Sequence, residues 1–95
     1  MGRYRFGLGA RRKLRAIWAN IAKWRGVAAA DKASDRLEEV FGVLAEQPGM
    51  GVMGACGREG LRRFMAGEFW IYYRELPGGI QIVDLKHYKQ RQETR

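Results

Sequence analysis

The chain has 95 residues, 46% of them hydrophobic, and a formal net charge of +8. This length favours one domain, residues 1–95, with a modest core, and no apolar run approaches the roughly 20 residues that a membrane-spanning helix needs. The basic N-terminus lacks the apolar segment of a secretory signal, and the single Cys and single His argue against an internal disulfide or a zinc site. These features predict a cytoplasmic protein without a metal or cofactor.

The basic residues are unevenly distributed along the chain. Residues 1–25 contain basic side chains and no acidic one, whereas acids outnumber bases in residues 26–50. A basic surface is typical of proteins that bind nucleic acid, a ribosome or an acidic protein. The alternative is a soluble basic protein with no specific anionic partner.

The first half of the chain predicts a strand and two helices. Residues 3–8 alternate between polar and apolar side chains, which indicates a strand. Apolar side chains at Leu14, Ile17 and Ile21 have helical spacing, which predicts a helix over residues 10–25 that stops at Gly26. The same spacing predicts a second helix over residues 29–47, with Asp31 as a candidate cap or first-turn acid.

The second half predicts a sheet. Residues 48–59 are rich in glycine and lack a period, which indicates a loop. Alternating segments predict strands over residues 60–65, 68–76 and 80–86, joined by glycine-containing turns, and residues 87–95 form a polar tail. The order β-α-α-β-β-β predicts an α+β fold, with a helical hairpin packed on one face of a small, mainly antiparallel sheet.

The alternation within the predicted strands assigns side chains to two faces. In the strand over residues 68–76, Tyr73 belongs to one face, whereas Trp70 and Tyr72 belong to the other. In the last strand, strict alternation opposes Ile80 and Ile82 to Val83 and Leu85. Both faces therefore carry large apolar groups, although the face without helices should be polar. We expect another element or a partner to cover that face.

Four segments together resemble the ParE branch of the RelE/ParE superfamily, the toxins of bacterial type II toxin–antitoxin modules. They are RRKLRAIWANIA, AADKASDRLEEVFGVLAEQPGMG, GLRRFMAGEFWIYYREL and IQIVDLKH, which lie within residues 4–88. The resemblance implies the same β-α-α-β-β-β fold. It also implies a cognate antitoxin whose disordered arm folds onto the toxin, so that the two form a hetero-oligomer.

The superfamily offers two toxic mechanisms, inhibition of DNA gyrase by ParE-like members and cleavage of ribosome-bound mRNA by RelE-like and YoeB-like members. The nuclease alternative would use His87 and Tyr88 for proton transfer and an arginine such as Arg74 for the phosphate. However, no strand residue offers a clear catalytic Glu, and a glycine-rich segment replaces the lysine-rich loop of RelE. We therefore expect a gyrase inhibitor with no catalytic residues of its own.

The resemblance also suggests two sets of binding residues. We expect the target to contact an exposed set of cationic and aromatic residues: Arg62, Arg63, Arg74, Trp70 and His87. We expect the antitoxin to contact the basic side of the helices and a groove beside them, through Arg11, Arg12, Arg15, Trp18, Lys23 and Tyr72.

Overall fold

The computed structural model describes residues 3–89, apart from the Cys56 side chain, so residues 90–95 of the predicted tail lie outside the described residues. Two helices pack on one face of a five-stranded mixed sheet, and the predicted fold is confirmed. The helices are α1 (Ala10–Arg25) and α2 (Val27–Glu46). The strands are β1 (Arg3–Phe6), β2 (Val52–Met53), β3 (Arg62–Ala66), β4 (Phe69–Leu76) and β5 (Gly79–His87).

The strands are arranged in the order β1-β5-β4-β3-β2. β1 runs parallel to β5, and the other neighbours are antiparallel. β2 was not predicted, because its two residues lie within a segment whose glycines hide any alternation. Short 3₁₀ turns over Pro48–Met50 and Ala55–Gly57 flank it. The predicted loop over residues 48–59 is therefore partly structured.

The junction between the helices differs from the prediction. Gly26 has φ +97°, a backbone conformation that favours glycine, and it separates α1 from α2. Helix α2 then begins at Val27, so Asp31 lies inside the helix and is not its cap. The carboxylate of Asp31 instead accepts a hydrogen bond from the indole N–H of Trp18 at 2.8 Å. This bond joins the two helices across their hairpin.

The core lies between α2 and the sheet. Leu37, Phe41 and Leu44 of α2 are almost fully buried, and so are Ile71, Tyr73, Ile80, Ile82 and Leu85 of β4 and β5. The ring of Phe41 meets those of Tyr4 and Phe6 edge-on, at centroid distances of 5.4 and 5.8 Å. Each buried apolar side chain contributes roughly 1.5–3 kcal/mol. This packing holds β1 against α2 as well as against β5.

Strand β5 contains a bulge, so its side chains face differently from the prediction. Tyr72 pairs with Asp84, but Tyr73 pairs with Ile82, so Val83 is an extra residue in the ladder. One extra residue reverses the alternation beyond it. Leu85 consequently joins Ile80 and Ile82 in the core, and its predicted place beside Val83 was wrong.

The sheet face away from the helices is partly covered by the chain itself. Ala55 and Leu61, on the segment between β2 and β3, pack against Tyr72, with Trp70 and Val83 at their side. The Tyr72 residue is consequently only 6% exposed to solvent. The apolar side chains predicted on this face therefore have a cover within the chain, and a partner is not needed to bury Tyr72.

Tyr73 connects the end of the helical hairpin to the sheet. Its buried hydroxyl donates a hydrogen bond to the Pro48 carbonyl at 2.7 Å and accepts one from the Gly51 N–H at 2.8 Å. Arg62 donates to the Gly51 carbonyl at 2.8 Å and pairs with Glu75. A Cβ at Gly51 would overlap the Tyr73 hydroxyl, so only glycine fits there.

We predict that Tyr73→Phe destabilises the protein. Removing the hydroxyl leaves the half-buried Pro48 carbonyl and the buried Gly51 N–H without their partner, which costs about 1–3 kcal/mol. The free energy of unfolding from chemical denaturation checks this. Tyr4→Phe is the control, because the Tyr4 hydroxyl makes no hydrogen bond to the described residues. Equal free energies of unfolding of the two variants would show that the Tyr73 hydroxyl stabilises the fold no more than the Tyr4 hydroxyl does.

Alkaline pH should weaken the fold. Burial raises the pKa of the Tyr73 phenol above its ordinary value of 10.0, although the hydrogen bond from Gly51 and the charge of Arg62 partly offset this, and burial also raises the pKa of Tyr4. The native state therefore keeps protons that the unfolded chain releases above pH 10, so stability falls as pH rises through that range. Denaturation midpoints between pH 8 and pH 11 test this, and Tyr73→Phe should flatten the decline.

Candidate partner-binding surfaces

A groove runs between α1 and the adjacent ends of β4 and β5. It encloses a cavity of about 610 Å³, and its apolar walls come from Ile17, Ile21, Trp24, Phe69 and Leu85. A smaller cavity of about 140 Å³ continues past Ile21 and Phe69 towards α2. We call the larger cavity the α1 groove. Trp24 at its edge is 72% exposed, which is unusual for a large aromatic side chain.

The rim of the α1 groove is mainly cationic. Lys13, Arg25 and Lys89 contribute positive charge. Lys13 also donates hydrogen bonds to the Asp84 carboxylate at 2.8 Å and to the Leu85 carbonyl at 3.2 Å, and these bonds hold α1 to β5. An apolar groove with a cationic rim fits an acidic, amphipathic polypeptide.

His87 lies in the wall of the α1 groove with both ring nitrogens engaged. Nδ1 accepts a hydrogen bond from the Lys89 N–H at 3.0 Å, and Nε2 lies 3.1 Å from the Glu68 carboxylate. Because Nδ1 is an acceptor, the neutral tautomer has its proton on Nε2 and donates it to Glu68. The ring also stacks on Tyr88 and meets Phe69 edge-on. These contacts position His87 as part of the groove wall.

Of the residues of the nuclease alternative, His87 and Tyr88 lie together, but Arg74 is far from both. His87 of β5 pairs with Phe69 of β4, whereas Arg74 lies five residues beyond Phe69 along β4. Five residues of strand span about 17 Å. Arg74 also belongs to the sheet face opposite to the α1 groove, since it alternates with the core residue Tyr73.

The predicted target-binding set divides among three places. Arg63 stacks on Trp70, with its guanidinium carbon 4.2 Å from the ring centroid, and Arg74 lies on the same sheet face. Arg62 lies on the helical side in its contacts with Gly51 and Glu75. His87 lies in the α1 groove. Only Arg63, Trp70 and Arg74 therefore share a surface.

The predicted antitoxin-binding set lies mostly on α1. Arg12, Arg15 and Lys23 are exposed, and Arg11 contacts the Phe6 ring at 4.9 Å. Trp18 is half-buried, and its indole N–H donates a hydrogen bond to Asp31. Tyr72 is an exception, because it is buried on the opposite face of the sheet.

Sequence reasoning did not include the groove walls Ile21 and Phe69 in either set. The helical spacing places Ile21 on the apolar side of the first helix, and Phe69 lies within the predicted strand over residues 68–76. Their shared cavity depends on how far α1 stands from the sheet, which no local pattern encodes.

Two further features bear on function. Within residues 3–89, no group of three or more His, Cys, Asp or Glu side chains could hold a metal ion. Neither α1 nor α2 is both long and apolar enough to cross a membrane.

Comparisons with known proteins agree with this architecture. The family described as "ParE toxin of type II toxin-antitoxin system, parDE" matches residues 4–92. A solved structure titled "Chromosomal ParDE TA system from P. aeruginosa" is similar in fold, with a TM-score of 0.79 and 21% identity, over 94% of this chain and 98% of that chain. No curated protein matches the chain at a significant level. Because the family match covers nearly the whole sequence, the chain belongs to the ParE toxins of type II toxin–antitoxin systems.

Proposed function

We propose that this toxin inhibits DNA gyrase in the bacterial cytoplasm and that a cognate antitoxin neutralises it by binding in the α1 groove. Family membership supports the toxin role. The observation that carries the antitoxin site is the α1 groove, because it joins a large apolar cavity to a cationic rim.

The apolar walls of the groove supply the attraction for an antitoxin arm. Side chains such as Ile21 and Phe69 remain half-buried, and Trp24 is largely exposed. Burying apolar surface stabilises a complex by about 25 cal/mol for each Å² removed from water. A disordered arm that folds as an amphipathic helix would place its apolar side chains along this groove.

The charge of α1 supplies the specificity for an acidic arm. Arg12, Arg15 and Lys23 are exposed on the helix, and the groove rim adds Arg25 and Lys89. Opposite charges on the arm would accelerate its association and align it along the helix. The same charges make a basic or neutral segment a poor occupant.

The target is proposed to bind the opposite sheet face. The Arg63 guanidinium lies over the Trp70 ring there, and Arg74 belongs to the same face. Stacking restrains the Arg63 guanidinium while its N–H groups remain able to reach an anionic acceptor. The mRNA endonuclease alternative has less support, because it needs His87 and Arg74 in one site and they lie on opposite faces.

We predict that Trp24→Ala weakens antitoxin binding. Trp24 contributes exposed aromatic surface at the groove edge, and truncation of such an anchor typically costs about 2 kcal/mol or more, roughly 30-fold in Kd. Calorimetry or surface plasmon resonance with the purified antitoxin checks this. Val52→Ala is the matched control, since Val52 is 64% exposed on the far edge of the sheet. Equal losses in the two variants would place the antitoxin elsewhere.

We predict that expression without antitoxin arrests growth and that the arrest follows gyrase inhibition. His87→Ala should retain most toxicity, because general acid–base groups contribute roughly 10²–10⁴-fold only where they perform catalysis. Arg63→Ala should lower toxicity more, and Arg12→Ala is its charge-matched control. Growth assays should be paired with a supercoiling assay and an mRNA cleavage assay on ribosomes. Loss of toxicity in His87→Ala, together with mRNA cleavage by the unmodified toxin, would establish the endonuclease instead.

A further inference from the structure

The sheet face away from the helices is strongly basic. Tyr4 and Phe6 pack against Phe41 on the helical side, so the alternating Arg3 and Arg5 belong to the other face. That face also carries three basic residues of β3, β4 and β5. We call its basic residues the cationic face: Arg3, Arg5, Arg63, Arg74 and Lys86.

Asp84 lies opposite Tyr72 in the register and so belongs to this face, but its carboxylate pairs with Lys13 of α1. Within residues 3–89, no carboxylate forms an ion pair with a member of the cationic face. The ion pairs of this part of the chain join Lys13 to Asp84, Arg62 to Glu75 and His87 to Glu68. None of them uses a member of the cationic face. The Nε of Arg74 is shielded from solvent and has no acceptor among the described residues. Like charges gathered without counterions repel one another, and a bound anion would relieve that repulsion.

The spacing of these cations suits a polyanion better than a single carboxylate. Arg5 and Arg74 flank Gln81 on the two neighbouring strands, so β1, β5 and β4 form a row about 10 Å wide. Lys86 pairs with Trp70, four residues from Arg74 along β4, which adds about 13 Å. Charges separated in two directions can each meet a different phosphate of one nucleic acid backbone.

The aromatic residues of this face indicate a duplex and not a single strand. Single-stranded nucleic acids bind largely by stacking their bases on aromatic rings. Here Arg63 lies over the Trp70 ring, and Lys86 lies 5.5 Å from the centroid of Tyr72. Tyr72 is also buried beneath Ala55 and Leu61. The two rings are therefore occupied by cations and are not free to stack on bases. A nucleic acid would bind this face through contacts between its phosphates and these cations.

An acidic protein segment fits this face less well than it fits the α1 groove. A docked polypeptide gains affinity from apolar anchors in pockets. The two cavities described above both lie on the helical side of the sheet. The row formed by Arg5, Gln81 and Arg74 offers hydrogen-bond donors and charge, which match phosphate oxygens.

We propose that the cationic face binds the phosphate backbone of duplex DNA, without reading its sequence. This inference rests on the proposed function, since gyrase holds duplex DNA and the toxin would contact that DNA beside the enzyme. The cationic face would thus be a DNA-contacting part of the target-binding surface. Binding would depend strongly on salt, because each contact releases condensed counterions.

The test measures binding of the purified full-length toxin to a fluorescein-labelled 20-base-pair duplex by anisotropy, in the absence of gyrase. We expect a Kd of roughly 1–100 µM at physiological salt, tightening as salt is lowered. The face variant combines Arg3→Gln, Arg5→Gln and Lys86→Gln. The matched control removes the same charge from α1 through Arg12→Gln, Arg15→Gln and Lys23→Gln. Thermal melts verify that both variants are folded.

The face variant should bind at least about tenfold more weakly, and its slope of log K against log salt should fall by about 2.7, or 0.9 for each lost phosphate contact. The α1 variant should lose less than threefold. Equal losses in both variants, or no DNA binding by the toxin, would overturn the proposal. Tighter binding of single-stranded DNA, duplex RNA or polyglutamate than of duplex DNA would overturn it as well.

A gyrase supercoiling assay separates this inference from the proposed function. If the toxin inhibits gyrase but does not bind DNA, the DNA inference fails and the gyrase proposal stands. If the toxin binds DNA through the cationic face but leaves gyrase active, the gyrase proposal fails and the DNA site stands. If the face variant loses DNA binding and gyrase inhibition together, both are supported.

Discussion

The helical hairpin covers one face of the sheet, and this one-sided burial determines where the other features of the molecule lie. Phe41 and its neighbours on α2 need apolar partners, and alternate residues of β1, β4 and β5 supply them. The period of two along a strand then sends the remaining side chains to the other face. Arginines at alternating positions of β1 thus collect on the far side of the sheet from the core.

The same one-sided packing separates two surfaces of different chemistry. Helix α1 contributes only Ala10 to the fully buried core, and it leaves an apolar groove between itself and the ends of β4 and β5. The opposite face has cations fixed over aromatic rings, and a segment of the chain covers its centre. Under our proposals, an antitoxin in the groove and a target on the opposite face would have different attractive forces, one mainly apolar and one mainly electrostatic.

The segments PGMG (residues 48–51) and GLR (residues 60–62) together anchor the Tyr73 side chain and its surroundings. Pro48 and Gly51 hold the Tyr73 hydroxyl, while Arg62 holds the Gly51 carbonyl and pairs with Glu75. The turn that leaves α2 is thereby joined to the middle of the sheet. Arg62 consequently belongs to the framework of the fold, whereas its neighbour Arg63 faces outward onto Trp70.

The order of elements and most of the core could be predicted from the sequence, because helix and strand periods are local properties of the chain. The opposite faces of Tyr73 and Tyr72 followed from alternation alone. Leu85 did not, because the bulge at Val83 arises from pairing with β4 and leaves no mark in a single strand. The start of α2 at Val27 also escaped prediction, since Gly26 alone separates the helices and no polar side chain caps the second one.

The candidate surfaces were less predictable than the fold. The sequence determined the net charge, the basic face of α1 and the presence of arginines in the strands. Only the tertiary structure decided that Arg62 is structural, that His87 and Arg74 are far apart, and that Tyr72 is buried by Leu61. A groove or a shared face depends on distances between residues remote in the chain. Such distances are set by packing and strand register, which local periodicity does not specify.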